Sequence, residues 1–499
     1  MILFGDIHNH CGMTYGFGSL NNALKNARSH LDFCAVTGHA FWPDIPPKTP
    51  ETEFLVKFHQ DGFAKLKRDY AKDVGIINGY NEQDKFTTFI SYEMHSSKYG
   101  DHHVVSGDEN LPLVTDVSSP KEWYERLSAY KNTVIIPHHI AYTKGYRGIS
   151  WDDYDDKLFP VVEVVSKHGC SMSDMHPFAY YHTMGGRDSK NTVYEGLKRG
   201  YRFGFVGSTD HHAGYPGSYG DGCIAVDATE NSRDAIMSAI KNRRTYAVRG
   251  DKIKCDFSVN GSKFGSIVPI DGKERIIRYN VELSYFLDKL IVYKNLVPIK
   301  IVNGEELVKV SDGGGYKIRL EFGWGSNVDL YTWDFDIKTD GKIVGLEKAF
   351  RGRNVLAPTE GEDLSDSVNE IDNRAEIDGD NRVFGRVQTI KNETTTSPST
   401  SAVILTVEGD NDTSITINVN GFEHTLKIYD LLAESYTYQT GITNSQCYKL
   451  HLAVPESKYK ISGEIKDDSS DSAEYHLEVF QKNDSMAFVS PVYYVEKTE

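Results

Sequence analysis

The chain is short of cysteine, of long apolar runs and of positive charge, and each shortage excludes something. Its six cysteines (Cys11, Cys34, Cys170, Cys223, Cys255, Cys447) lie far apart with no CxxC pair, which reads as reduced thiols in a cytoplasm. No stretch approaches eighteen apolar residues, so no transmembrane helix and no membrane partner are expected. The opening Met1–Asp6 has neither the basic stretch nor the apolar core of a signal peptide, which also reads as cytoplasmic. Residues 1–250 carry 27 Lys+Arg against 30 Asp+Glu, and residues 251–499 carry 28 against 41. Neither half has the basic surplus that a phosphate-backbone binder needs, so bulk nucleic acid is not expected as a partner. Wholesale disorder is excluded as well, because Gly+Pro is only 59 of 499 residues and aromatics reach 12%.

What is present suggests more than one domain, since 499 residues exceed a single ordinary core. The first half alternates short apolar runs with helix-like stretches, an α/β texture. The predicted strands are Ile2–Phe4, Phe33–Val36, Thr87–Ile90, Val104–Ser106, Val134–Ile136, Val161–Val165 and Phe203–Val206. Helices are predicted at Leu20–Ser29 behind Ser19, at Thr52–Tyr70, from Ser119-Pro120 to Tyr130, at Thr192–Gly200 and at Arg233–Arg243 behind Ser232. A barrel and an open doubly wound sheet both suit this alternation. Past residue 250 the pattern turns to alternating β-type runs separated by turns such as Asn260-Gly261 and Asn420-Gly421, the mark of antiparallel sandwiches. The polar stretches 359–382 and Asn392–Ser401 read as loops bounding an inserted β-subdomain at about 359–465.

Fifteen of the eighteen histidines precede residue 213, and many fall at predicted strand ends. The first strand runs into Asp6-Ile-His8-Asn-His10, the second into His39 and the third into Glu93. His102-His103 precedes the fourth strand, while His138-His139, Glu163 with His168, and Asp210-His211-His212 accompany the later ones. Parallel barrels collect such ends on one face. His8 and His10, two apart in extended chain, point to the same side. Imidazole and carboxylate without thiolate suit Zn, Mn or Fe in an open hydrolytic site. A carboxylate such as Glu93 can bridge two ions, which polarise a phosphoryl or carbonyl oxygen and acidify a water.

These motifs resemble the PHP (polymerase and histidinol phosphatase) superfamily, most closely its DUF3604-like branch. The resemblance rests on Gly5-Asp6-Ile7-His8-Asn9-His10, on Ser208-Thr209-Asp210-His211-His212-Ala213-Gly214-Tyr215-Pro216-Gly217, and on Ala239–Ala247 with its Arg243-Arg244-Thr245-Tyr246 end. It covers about residues 1–262 and resumes in the closing segment, at Val479-Phe480-Gln481 and Ser490-Pro491-Val492. It implies a distorted (β/α)7 TIM-like barrel over residues 1–250, followed by an all-β sandwich-like region over 251–499. It also implies a first ion among His8, His10, Glu93 and Asp210, a second among Glu93, His103 and His138, and part of a third site from His39 and His212. His103 is preferred to His102, and His138 to His139, by their position next to the apolar strand. Gly38 stands where the family often has Asp, and the loop Cys11–Gly18 offers no acid or imidazole, so two ions with an optional third are expected.

The expected activity is metal-dependent hydrolysis, foremost of a small anionic phosphate mono- or diester. Amide, lactone or carbohydrate-directed hydrolysis, and a non-catalytic protein with a relict metal site, are the alternatives. Glu163 and His168 are candidates to support the ligands, with His168 also a candidate general acid. His212 is a candidate for both metal and catalytic roles. Lys144, Arg147, Lys167 and Arg187 are candidates to clamp an anion. Phe41, Trp42, Trp151 and Tyr215 are expected to overhang the mouth, with Tyr215 as a substrate contact. His30, His59, His95, His176 and His182 read as ordinary residues, and the oligomeric state is unassigned.

Overall fold

A computed structural model describes residues 1–178, 186–272, 274–305, 313–324, 330–353, 370–389, 399–441 and 446–496. Among them the first half forms β1 (Ile2–Asp6), α1 (Leu20–Arg28), β2 (Phe33–Phe41), α2 (Glu53–Tyr80), β3 (Thr87–Met94), β4 (His102–Ser106), α3 (Pro120–Leu127) and β5 (Thr133–Pro137). There follow β6 (Val161–Ser166), β7 (Gly169–Cys170), α4 (Val193–Lys198), β8 (Gly204–Gly207), β9 (Cys223–Asp227), α5 (Arg233–Lys241) and β10 (Thr245–Arg249). Serines start three of these helices: Ser19, Ser119 and Ser232 each accept a backbone N–H of the first turn. Helix α2 runs ten residues beyond the predicted Tyr70, continuing to bury its face through Asp73 and Ile77. No described helix is long and apolar enough to cross a membrane.

The main sheet has the order β5-β4-β3-β2-β1-β9-β10 and continues through Met486–Val495, Ala473–Gln481, Leu287–Lys294 and Val297–Asn303. The chain therefore returns at its end to complete the sheet it began. The expected parallel sheet holds for β1-β2-β3 and for β6 beside β8, but not throughout. Strand β4 is antiparallel to both β3 and β5, and β9 is antiparallel to β1 and β10. Residues 95–101 between β3 and β4 are too few for a crossover helix, so the chain turns back instead. This reversal matters for the site. It brings the beginning of β4 to the edge where β1, β2, β3 and β5 end, setting His103 opposite Glu93.

Alternate strand residues build the core beneath α5: Leu3, Phe33, Ala35, Phe89, Val105, Val134 and Ile136 pack against Ile236, Met237 and Ile240. The described pairings of the second half are antiparallel apart from that of Ile267–Pro269, which runs parallel to Met486–Val495. A six-stranded sheet centred on Gly314–Gly323 and a five-stranded sheet centred on Tyr331–Thr339 share one core around Phe322, Trp333, Phe335 and Val403. At Asn260-Gly261 and Asn420-Gly421 both residues have positive φ, as tight hairpin turns require. The 359–382 stretch is not all loop: Arg374–Asp378 is a strand paired with Arg382–Thr389. Residues 359–369, most of Asn392–Ser401, and His182 lie outside the described residues.

Candidate metal centre

The site begins with a clamp. Asp6, at the end of β1, accepts the Thr209 hydroxyl at 2.5 Å and the backbone N–H groups of His8, Thr209 and Gly217. Burial pushes its carboxyl pKa up, against these hydrogen bonds. Backbone pairing then locks the two motifs together: Asp210 N–H donates to the His8 carbonyl and His10 N–H to the His211 carbonyl, both at 2.7 Å. Asp210 itself has φ +51°, a left-handed backbone that few non-glycine residues adopt, and it turns its carboxylate towards His10.

Each imidazole is held by one nitrogen and offers the other. His10 Nδ1 donates to the Thr37 carbonyl at 2.8 Å, and His8 Nδ1 donates to Glu163 Oε2 at 2.8 Å. Their Nε2 atoms then face each other at 3.3 Å. His39 Nδ1 pairs with the Thr14 hydroxyl at 2.9 Å. Glu93 lies between the rings: Oε2 is 3.5 Å from His10 Nε2, 3.6 Å from His8 Nε2 and 3.8 Å from His39 Nε2, and Oε1 is 3.3 Å from His138 Nε2. Asp210 Oδ1 is 3.1 Å from His10 Nε2 and 3.6 Å from His212 Nδ1. His103 and His138 approach through their Nδ1 atoms at 3.0 Å. Donor atoms within 4.8 Å of one another form the groups His8–His103–His138, His10–His39–His212, His8–His10–Asp210 and His39–Glu93–His95.

The electrostatics favour a bound cation. Glu93 is buried, yet His95, His138 and His39 outweigh the burial and hold its carboxyl well below the usual range. Asp210 is lowered likewise against burial, by His8 and His168. Burial depresses His39, His103, His138 and His212 well below the ordinary imidazole value. His8 is the exception, lifted by Asp210, Glu163 and Glu93 despite its burial. Ionised carboxylates beside neutral imidazoles are the protonation states that metal ligation needs. Among the described residues, buried Glu93 Oε2 and His103 Nε2 have no hydrogen-bond partner, while His138 Nε2 has Glu93 Oε1 at 3.3 Å. Such orphans are costly unless another group takes them up.

A cleft of about 860 Å³ opens beside these residues, and Arg147, Lys167 and His168 line it. His168 Nε2 donates to Asp210 Oδ2 at 2.5 Å, while Nδ1 meets the Tyr142 hydroxyl at 2.7 Å. Lys167 Nζ is 2.7 Å from His212 Nδ1. Arg147 reaches Asp101 and His59, both at 3.2 Å. The remaining substrate candidates lie elsewhere. Lys144 is exposed and pairs with Asp152, and Arg187 pairs with Asp174. Tyr215 is buried away from the cleft, stacked on His30, with its hydroxyl accepting from Asn373. Trp151 stacks on Phe203 in the core, and Phe41 packs on Trp123, so of the four overhanging aromatics Trp42 alone lines the cleft. His102 bonds the Gly100 carbonyl and packs on Phe159.

His95 and His59, read from the sequence as ordinary, both line the cleft. His95 Nδ1 lies 3.0 Å from Glu93 Oε1 and 3.0 Å from Asp101 Oδ2. The signal for it was the Glu93-Met-His95 spacing, the same two-residue step that joins His8 to His10.

No family model matches the chain. It is 24% identical over 344 residues to an uncharacterized protein of Chlamydia trachomatis, covering 64% of this chain and 50% of that one. Uncharacterized proteins of Chlamydia muridarum and Chlamydia pneumoniae match at 25% and 26%, each over 38% of this chain and 33% of theirs. The chain thus spans half of one of these curated relatives and about a third of the other two. Among solved structures, it is similar to a two-domain protein from Bacteroides vulgatus containing a predicted PHP-like metal-dependent phosphoesterase. That likeness has a TM-score of 0.31 at 12% identity, over 86% of this chain and 95% of that one. A lesion-specific endonuclease from Pyrococcus furiosus gives a TM-score of 0.29 at 12% identity, over 48% and 56%. At such scores neither likeness bears on the chemistry of this chain, whose case rests on its own side chains.

Proposed function

We propose that this protein is a metal-dependent hydrolase, foremost a phosphoesterase acting on a small anionic ester. Its catalytic unit would be a distorted PHP-type barrel over residues 1–250, with the β-rich region 251–499 attached. The observation that carries the reading is the buried meeting of six imidazoles with Glu93 and Asp210, with Glu93 Oε2 and His103 Nε2 unpartnered among the described residues. The donors fit two divalent ions of Zn, Mn or Fe: His8, His10, Glu93 and Asp210 for one, and Glu93, His103 and His138 for the other. His39 and His212 would supply part of an optional third. When bound, such ions supply Lewis-acid polarisation of the phosphoryl oxygen and acidify water.

The chain's own residues do the rest. Glu163 and the Thr37 carbonyl fix the His8 and His10 tautomers, leaving each Nε2 free to ligate. Lys167 and Arg147 line the cleft, and an anionic substrate would meet them there. His168, whose Nε2 donates to Asp210, would serve as the proton source for the leaving oxygen.

A panel of phosphate mono- and diesters, assayed beside carboxylic esters and lactones on the metal-loaded protein, tests the reaction class. Phosphoester turnover that disappears in the His8→Ala/His10→Ala variant is expected. Turnover confined to the carbonyl substrates would reject the phosphoesterase assignment and keep the metal centre.

A further inference from the structure

The cleft has two unlike walls. One is the metal centre with its basic edge. The other is apolar: Tyr15, Trp42, Phe54, Leu55, Phe58 and Tyr146 line it. Three of these are exposed to an extent unusual for large apolar side chains, Phe54 at 54%, Leu55 at 37% and Tyr146 at 62%. Contiguous exposed apolar surface running into a pocket marks a place for a ligand. The wall is also ordered. From His10, ring centroids step 3.9 Å to His39, 3.8 Å to Tyr15, 4.5 Å to Phe58 and 5.9 Å to Phe54. Phe54 and Phe58 are one helical turn apart on α2, which is why both reach the same cleft.

We propose that this ladder of rings is a subsite for an aromatic leaving group, so that the substrate is a phosphate ester of an aromatic alcohol rather than of a sugar or polyol. The proposal rests on the phosphoesterase reading and specifies its substrate class. Tyr15 already lies between His39 and Phe58, so a planar ring would lie against the exposed Phe54 at the open end of the ladder. Sugar hydroxyls would leave water on this wall without recovering hydrogen bonds. Asp44, one of the polar groups at its rim, is already occupied by the Ser97 and Lys98 amides and the Ser96 hydroxyl. The Trp42 indole N–H, buried in the wall, has no acceptor among the described residues, so a ring bearing an acceptor atom has a donor to meet. Trp42 is held in place by the Arg147 guanidinium, 4.6 Å over its ring.

Calorimetric titration of the full chain with phenylphosphonate and with methylphosphonate tests this, since the two share the anion and differ in the ring. Phenylphosphonate is expected to bind about tenfold tighter or more, the worth of burying a ring. Phe54→Ala/Phe58→Ala should abolish that advantage and leave methylphosphonate within about twofold, because apolar burial acts on the ring alone. Should the double variant fail to fold, Phe54→Ala alone, at an exposed position, should lose part of the advantage. Equal affinity for the two phosphonates, or an advantage that survives the substitutions, overturns the subsite. If neither phosphonate binds, the phosphoester reading has failed, and neutral 2-naphthol decides the subsite separately. Binding that weakens in the variant keeps it, and no binding overturns it.

Discussion

Two regions of this molecule bury histidine beside carboxylate, with opposite results. In the second half His476 sits between Glu474, 3.0 Å from its Nδ1, and Glu478, 3.7 Å from its Nε2. Tyr293 stacks on its ring, Tyr194 and Phe205 meet its edge, and Tyr194 donates to Glu478. There one imidazole faces two carboxylates. Burial opposes its charge, but Glu474 and Glu478 win, and its pKa rises to about 9. In the first half the ratio is reversed. His8, His10, His39, His103, His138 and His212 crowd around Glu93 and Asp210, and most of the rings are depressed into the neutral form. The His8 and His10 Nε2 atoms, 3.3 Å apart, need a proton or a cation between them. Burial of histidine therefore does not define a site. An excess of donors over protons and partners does.

Glu93→Gln should break the comparison hardest. It removes the carboxylate that the proposal shares between both ions, and hydrolysis should fall by about three orders of magnitude or more, the scale of losing charge stabilisation at the reacting atoms. Steady-state kinetics on the best phosphoester check this. The second half should respond through stability instead. A histidine whose folded pKa is raised contributes fully below its unfolded value near 6.5 and loses that contribution as pH rises through about 9. Chemical denaturation of the wild type should therefore lose on the order of 3 kcal/mol between those limits. His476→Gln should flatten that fall, and a profile unchanged by the substitution would mean that the pair is not charged. The mildest of the three is Glu163→Gln, which loosens the His8 ring without removing a ligand. Metal affinity should drop about 10- to 100-fold, as measured by competition with a chelator, with the thermal midpoint little changed.

Much of the site was legible because strands repeat every two residues. His8 and His10 share a side, and apolar runs ending in His39, Glu93, His138 and Asp210 point to strand ends gathered on one face. The reversal at β4 was not legible, since nothing local distinguishes a strand that leaves the edge from one that arrives there. His103 reaches the site because β4 runs backwards. His95 was not legible, since an imidazole just past a strand end carries no pattern unless Glu93 is read together with it. Lys144, Arg187 and Tyr215 were placed by proximity in sequence, whereas the chain decides such positions at long range. Tyr215 is drawn into the β-rich half by Asn373, 158 residues away. The return of Ala473–Gln481 and Met486–Val495 to the first sheet likewise depends on pairing that local propensity does not encode.

The central claim is that the donor excess at the edge of the first sheet exists to hold metal. Elemental analysis of the full chain, purified without chelator, tests it most directly. The account predicts about two transition-metal ions per chain, as a site with two donor groups sharing one carboxylate requires, and their loss in His8→Ala/His10→Ala but not in His476→Gln. Less than about one ion per chain, unchanged by replacing His8 and His10, would contradict it, because a metal held by these ligands cannot be indifferent to their removal.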